Sequence, residues 1–191
     1  MSLTARSAYW RLKLKALSLL AMGRRRAALD VYSAMLSGWP DDAYALSSRA
    51  HLYAEFGQRE QAIGDARLLT QLHPQCSAQA WFNLAYLLDA TGHHAEAEPA
   101  FRQAVLLDPR LDRAWYGLGL QLFRLRRFDE AIEALERNTE LQPMSPYGWV
   151  QLARVYMERE ETDKARRIIR HLKGFEPKFA AQLACETGLA T

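Results

Sequence analysis

The chain has 191 residues, 49% of them hydrophobic and 25% charged, an ordinary globular composition with room for one core or a continuous stack of small ones. A net charge of +3 is a mild basic bias, short of the footprint of a dedicated nucleic-acid binder. No stretch approaches the roughly 20 apolar residues of a membrane span.

From the N-terminus, "RLKLKALSLLAMGRRR" (residues 11–26) sets an apolar run behind positive charge, as a signal peptide would. The run from Ala16 to Met22 is short, Ser18 interrupts it and three arginines follow, so a helix of the mature protein is expected. Arg6, Arg11, Lys13, Lys15, Arg24, Arg25 and Arg26 all precede the first acidic residue, Asp30. Further on, "SAQAWFNLAYLLDATGHHAEAEPAFRQAVLLDPR" splits into a first helix from about Ala78 to Ala90 and a second from about Ala95 to Leu107. Thr91-Gly92 separates them, and Pro109 disfavours helix at Asp108. Gly23 and Gly57 break earlier helix pairs in the same way, while the last two pairs turn at Arg126-Arg127 and Glu160-Glu161. Next comes "RAWYGLGLQLF", helical in spacing yet carrying Gly117 and Gly119, each about 1 kcal/mol worse than alanine in a helix interior. The C-terminal "AAQLACETGLAT" continues in phase as a truncated first helix, with Leu183 where other units have tryptophan.

Self-similarity organises these elements. Trp81, Trp115 and Trp149 are 34 residues apart, and Pro40, Pro74, Pro109, Pro143 and Pro177 recur at steps of 34 or 35. An alanine lies between successive prolines: Ala28, Ala62, Ala97, Ala131 and Ala165. Such a period means an array in which each unit buries its apolar face against the next. In "RAWYGLGLQLF", Gly119 falls at a position where the other units have Ala16, Ala50, Ala85 and Ala153, so close helix packing accounts for it. Gly117 has Leu14, Ser48, Asn83 and Gln151 in phase; it is read as clearing room beside Tyr116 for a ligand backbone, with plain helix variation as the alternative.

The pattern resembles the tetratricopeptide repeat family over nearly the whole chain. The fourth unit shows Trp115, Leu118-Gly119, Leu122, Ala131, Leu135 and Pro143, with Asn138 where a small apolar residue is usual. In the first two units Leu12 and Leu46 replace tryptophan, and Lys15 and Arg49 replace leucine. The resemblance implies an all-α fold, a right-handed α-solenoid of antiparallel helix pairs. Five repeats are expected at about 9–42, 43–76, 78–111, 112–145 and 146–179, with a capping helix over 180–191 in one array.

Nothing in the sequence points to catalysis, a metal or a cofactor. His93-His94 sit in a turn without a third ligand, and the HxxC spacing of His73 and Cys76 lacks two further ligands. Asp129, Glu130, Glu133 and Glu136 lie beside Arg126 and Arg137 as solvent-facing charge pairs. The two cysteines, Cys76 and Cys185, form no CxxC; reduced thiols and a cytoplasmic location are expected.

The resemblance places ligand contacts on a concave groove lined by first helices. Mapped onto this chain, the candidates are Tyr44, His51, Gln79, Phe82, Asn83, Tyr86, Arg113, Tyr116, Gly117, Arg124, Tyr147, Gln151 and Arg154. Exposed aromatics beside arginine are what interaction hot spots look like, and Asn83, Arg113 and Arg154 are expected to orient a peptide. Only Asn83 and Arg113 match the carboxylate clamp of heat-shock co-chaperones, which argues against that ligand. The expected role is a non-catalytic scaffold or adaptor for a protein or peptide. The alternatives are a chaperone for a secretion-system or multi-subunit partner, self-association through the ends or the Trp10–Trp39 region, and a nucleic-acid or anionic-surface binder. The last would use the basic first repeat and "RRIIRHLK" (residues 166–173), but no nucleic-acid motif accompanies them.

Overall fold

In a computed structural model the protein is described over residues 3–75 and 77–189, with the side chain of Leu3 left out. The expectation for Cys76 and the last two residues of the capping segment lie outside the described residues. Eleven helices form, and no strand occurs among the described residues: α1 (Leu3–Ala21), α2 (Arg25–Gly38), α3 (Ala43–Glu55), α4 (Arg59–Leu72), α5 (Ala78–Ala90), α6 (His94–Leu107), α7 (Asp112–Arg124), α8 (Phe128–Leu141), α9 (Pro146–Glu158), α10 (Thr162–Lys173) and α11 (Pro177–Thr187).

The turns inside the repeats share one geometry. Gly23, Gly57 and Gly92 have φ of 72°, 73° and 82°, and Arg126 and Glu160 take the same left-handed conformation at 57° and 61°. After each of them a backbone N–H reaches back five residues: Arg24 to Leu19, Gln58 to Tyr53, His93 to Leu88, Arg127 to Leu122 and Glu161 to Tyr156, at 2.8–2.9 Å. This six-to-one bond is that of a Schellman helix stop. The charged turns of the last two repeats thus keep the backbone that glycine adopts without a steric cost.

The Trp–Pro period also has a physical cause. The indole N–H of Trp81 donates to the carbonyl of Pro74 at 2.8 Å, that of Trp115 to Pro109 at 2.9 Å, and that of Trp149 to Pro143 at 2.9 Å. Each tryptophan therefore ties its own helix to the preceding interrepeat loop. At the Pro40 loop no tryptophan follows. There the Tyr9 hydroxyl donates to Asp42 at 3.0 Å while Asp42 caps α3 through the Ala45 N–H at 2.7 Å.

The chain divides into two compact units, one running to His93 and the other from His94. In the first, α1 to α5 pack in succession around Ala16, Leu19, Tyr32, Met35, Leu46, Leu52 and Leu69. In the second, α6 to α11 pack in succession over Phe101, Leu118, Leu122, Leu135, Leu152, Ile169 and Leu183, and α9 also touches α7 and α11.

Two core substitutions show pairwise adjustment. Arg49, at a position where α5, α7 and α9 have Leu84, Leu118 and Leu152, donates to Asp65 through Nε and Nη2, both at 2.7 Å. Asp65 is buried, and the bidentate pair holds the Arg49 guanidinium above its ordinary pKa. Asn138 donates to the Asp112 carbonyl at 2.9 Å, and Gly148 lies where any methyl would overlap its Oδ1.

Helix α11 differs from the expected frame. Pro177 starts it as Pro146 starts α9, an interval of 31 residues rather than 34, because the loop before it is shorter. Leu183 thereby matches Leu152 rather than Trp149, which explains its complete burial.

Candidate functional site

In the N-terminal unit the predicted residues fall on the open faces of α3 and α5. Helix α5 offers the more developed surface. Phe82 and Tyr86 stack one turn apart, with centroids 6.3 Å apart and planes at 23°, and Tyr86 is 60% exposed. Beside them the Gln79 amide donates to Asn83 Oδ1 at 2.7 Å, so an amide pair and an aromatic pair share one helix face. On α3, Tyr44 is half-buried under Lys13, whose Nζ lies 3.9 Å from the ring centroid. Burial, and the Tyr32 hydroxyl 3.3 Å away, push the Tyr44 phenol up to about 12. His51 is exposed, its Nε2 3.5 Å from Glu55.

In the C-terminal unit Arg113 and Arg124 are exposed on α7, with Tyr116 half-buried between them. Arg124 Nη1 lies 3.4 Å from His94 Nδ1. Leu120 and Phe123 are half-buried, the latter 6.0 Å from the Phe128 ring. Gly117 is corrected by the structure: it is buried, and a methyl there would stand 2.5 Å from Cζ of Phe101. Its missing side chain makes room for the Phe101 ring, not for a ligand backbone. Gly119 does have the anticipated role, since a methyl there would come within 2.6 Å of Leu135 in the same repeat.

Tyr147, Gln151 and Arg154 line a cleft of about 130 Å³ between α9 and α11, with Phe179, Gln182 and Glu186 opposite. Tyr147 meets Phe179 edge to face at 5.7 Å. The orienting role expected of Arg154 is corrected too: its guanidinium is bound to Glu186 at 2.8 Å, and Gln182 donates to the same carboxylate at 2.9 Å. These two donors, Arg154 first, hold the Glu186 carboxyl below its ordinary pKa. Arg154 fastens α11 to the array.

The acidic run on α8 is distributed among separate partners. Arg127 and Arg102 bracket Glu130, Arg159 takes Asp129, and Glu136 accepts from the Tyr156 hydroxyl at 3.0 Å. Trp39 is half-buried, edge to face against Tyr9 at 5.3 Å.

Two features escaped the sequence reading. Gln121 is 1% exposed, and neither of its side-chain polar atoms has a hydrogen-bond partner among the described residues. The residues in phase with it are the buried Leu52, Leu87 and Val155. The other is an apolar stripe on α1, taken up below.

Among the described residues no helix is long and apolar enough to cross a membrane. The tetratricopeptide repeat family matches at residues 13–75, 49–109, 82–146 and 116–173. Similar curated proteins include the small glutamine-rich tetratricopeptide repeat-containing protein 2 of Mycosarcoma maydis, 30% identical over 44% of this chain and 23% of its own length. A heat-shock protein cognate co-chaperone, sgt12 of Aspergillus fumigatus, is 29% identical over 68% of this chain and 28% of its own. The chain thus spans about a quarter of these relatives. Among solved structures, MamA superposes with a TM-score of 0.78 at 20% identity, covering 98% of this chain and 97% of that one. YrrB, described as a TPR protein with an unusual peptide-binding site, superposes at 0.80 with 19% identity over 87% of each chain. Family matches that extend from residue 13 to residue 173, in step with the Trp–Pro ties, establish that the chain belongs to the tetratricopeptide repeat family.

Proposed function

We propose that this chain is a non-catalytic scaffold that takes a peptide segment of a partner protein on the open faces of its first helices. The observation that carries this is the α5 surface, where the stacked Phe82–Tyr86 pair adjoins the Gln79–Asn83 amides. Aromatics offer large contact area at low entropic cost, and adjacent amides serve a peptide backbone. The peptide site described for YrrB and the co-chaperone role named for the Aspergillus relative support a protein ligand. A cytoplasmic setting belongs to the same reading. Tyr116 and the exposed Arg113 are the corresponding contacts proposed on α7.

Affinity capture from the native host, with partners identified by mass spectrometry, tests it. Tyr86→Ala should weaken capture of the wild-type partner about ten-fold or more, while stability changes by no more than about 0.5 kcal/mol at so exposed a site. Undiminished capture by the double variant Phe82→Ala/Tyr86→Ala would remove α5 from the site.

A further inference from the structure

Helix α1 is apolar on two opposite faces, and the fold covers one of them. Successive helical residues turn by about 100°, so positions 10, 14, 17 and 21 form one stripe while 12, 16 and 19 face the other way. Leu12, Ala16 and Leu19 pack into the N-terminal core. The opposite stripe lies open: Trp10 is 48% exposed, Leu14 61% and Leu17 45%, with Ala21 exposed one turn on. It extends over about 16 Å of helix axis.

Charge sets what would cover it. Arg11 and Lys15 flank the stripe on one side, Arg6 and Lys13 on the other, and no acidic residue precedes Asp30. Lys13 is drawn over the Tyr44 and Trp10 rings. Arg6, Arg11 and Lys15 are exposed, with no ion pair among the described residues. Nucleic acid would reward these cations but leave the leucines uncovered. Trp10, Leu14 and Leu17 also precede Tyr44, Ser48 and His51 by 34 residues each, which puts the stripe on the same line of helix positions as the ligand residues of α3.

We infer that α1 is the docking strip for an acidic amphipathic helix of a partner protein. The apolar face of that helix seats on Trp10, Leu14 and Leu17, and its carboxylates pair with Arg11 and Lys15 on one flank and Arg6 on the other. The inference rests on the scaffold reading and gives the partner its chemistry.

The test uses the full chain and two short designed helices labelled with fluorescein, both with leucines along one face, one with glutamates elsewhere and one with lysines. By fluorescence anisotropy the acidic probe should bind at least about ten-fold more tightly than the basic one. Leu14→Glu should weaken it by a similar factor at unchanged melting temperature, and Arg11→Glu/Lys15→Glu should move the preference toward the basic probe. Equal binding of the two probes, or full binding by Leu14→Glu, overturns the inference. So does sedimentation with phosphatidylserine–phosphatidylcholine vesicles, or a dimer by light scattering, that Leu14→Glu abolishes while neither probe binds. Capture of the native partner lost in Tyr86→Ala but intact in Leu14→Glu would keep the scaffold reading and remove this one.

Discussion

Alanine at Gly117 should destabilise the protein although alanine is the better helix former. The comparison site is Gly64, on the exposed side of α4, where a methyl would meet nothing within 4 Å. There only propensity acts, and Gly64→Ala should gain about 1 kcal/mol. At Gly117 the same gain is opposed by the methyl's overlap with Phe101, a side chain only 2% exposed whose ring has little freedom to swing aside. Overpacking of this kind costs about 1–3 kcal/mol, so Gly117→Ala should fall roughly 0–2 kcal/mol below wild type, and the two alanine variants should differ by about 1–3 kcal/mol. Urea unfolding followed by circular dichroism measures both. Trimming the ring should relieve the clash: Gly117→Ala combined with Phe101→Leu should be at least about 1 kcal/mol more stable than additivity predicts. If Gly117→Ala stabilises as much as Gly64→Ala, or shows no coupling to Phe101→Leu, the packing explanation is wrong.

Three further outcomes follow from the described contacts. Gln121→Leu should stabilise by about 1–3 kcal/mol by removing a buried amide without partners; a lowered melting temperature would mean that the amide is satisfied. Asp65→Ala should cost about 2–3 kcal/mol because it strands Arg49, whereas Arg49→Leu/Asp65→Leu should recover most of that loss; denaturant midpoints of the three variants decide it. Glu160→Gly should gain about 1 kcal/mol by relieving a left-handed backbone that Gly23, Gly57 and Gly92 adopt freely, and no rise in the thermal midpoint would contradict that.

The repeat frame was readable because its positions recur. Trp81, Trp115 and Trp149 each make the same bond to a proline carbonyl, and Ala16, Ala50, Ala85, Gly119 and Ala153 each meet a close neighbouring helix, so five copies reinforce one inference. Features peculiar to one repeat lack that support. Gly117 needed knowledge of which ring faces it, and Phe101 lies on a different helix, sixteen residues earlier. Arg154 looked available because its partner, Glu186, lies on a helix whose register slipped by three residues. Some signals were present and went unused. Asp65 stands in phase with Val31, Ala100, Ala134 and Ile168, so an acid at a core position announces the pair with Arg49. Gln121, among Leu52, Leu87 and Val155, is the same kind of anomaly. The α1 stripe was hidden because hydrophobic periodicity detects one apolar face, and this helix has two.

Which face meets the partner decides the scaffold reading. Photo-crosslinking in the native host, with a benzophenone amino acid placed singly at Tyr86 and Tyr147 on first helices and at Leu68 and Leu106 on second helices, measures this directly. All four side chains are exposed, so reagent access does not bias the comparison. Crosslinks to a common partner from Tyr86 or Tyr147, and none from Leu68 or Leu106, are expected. Crosslinks confined to Leu68 and Leu106 would place the ligand on the opposite helices and contradict the proposed site.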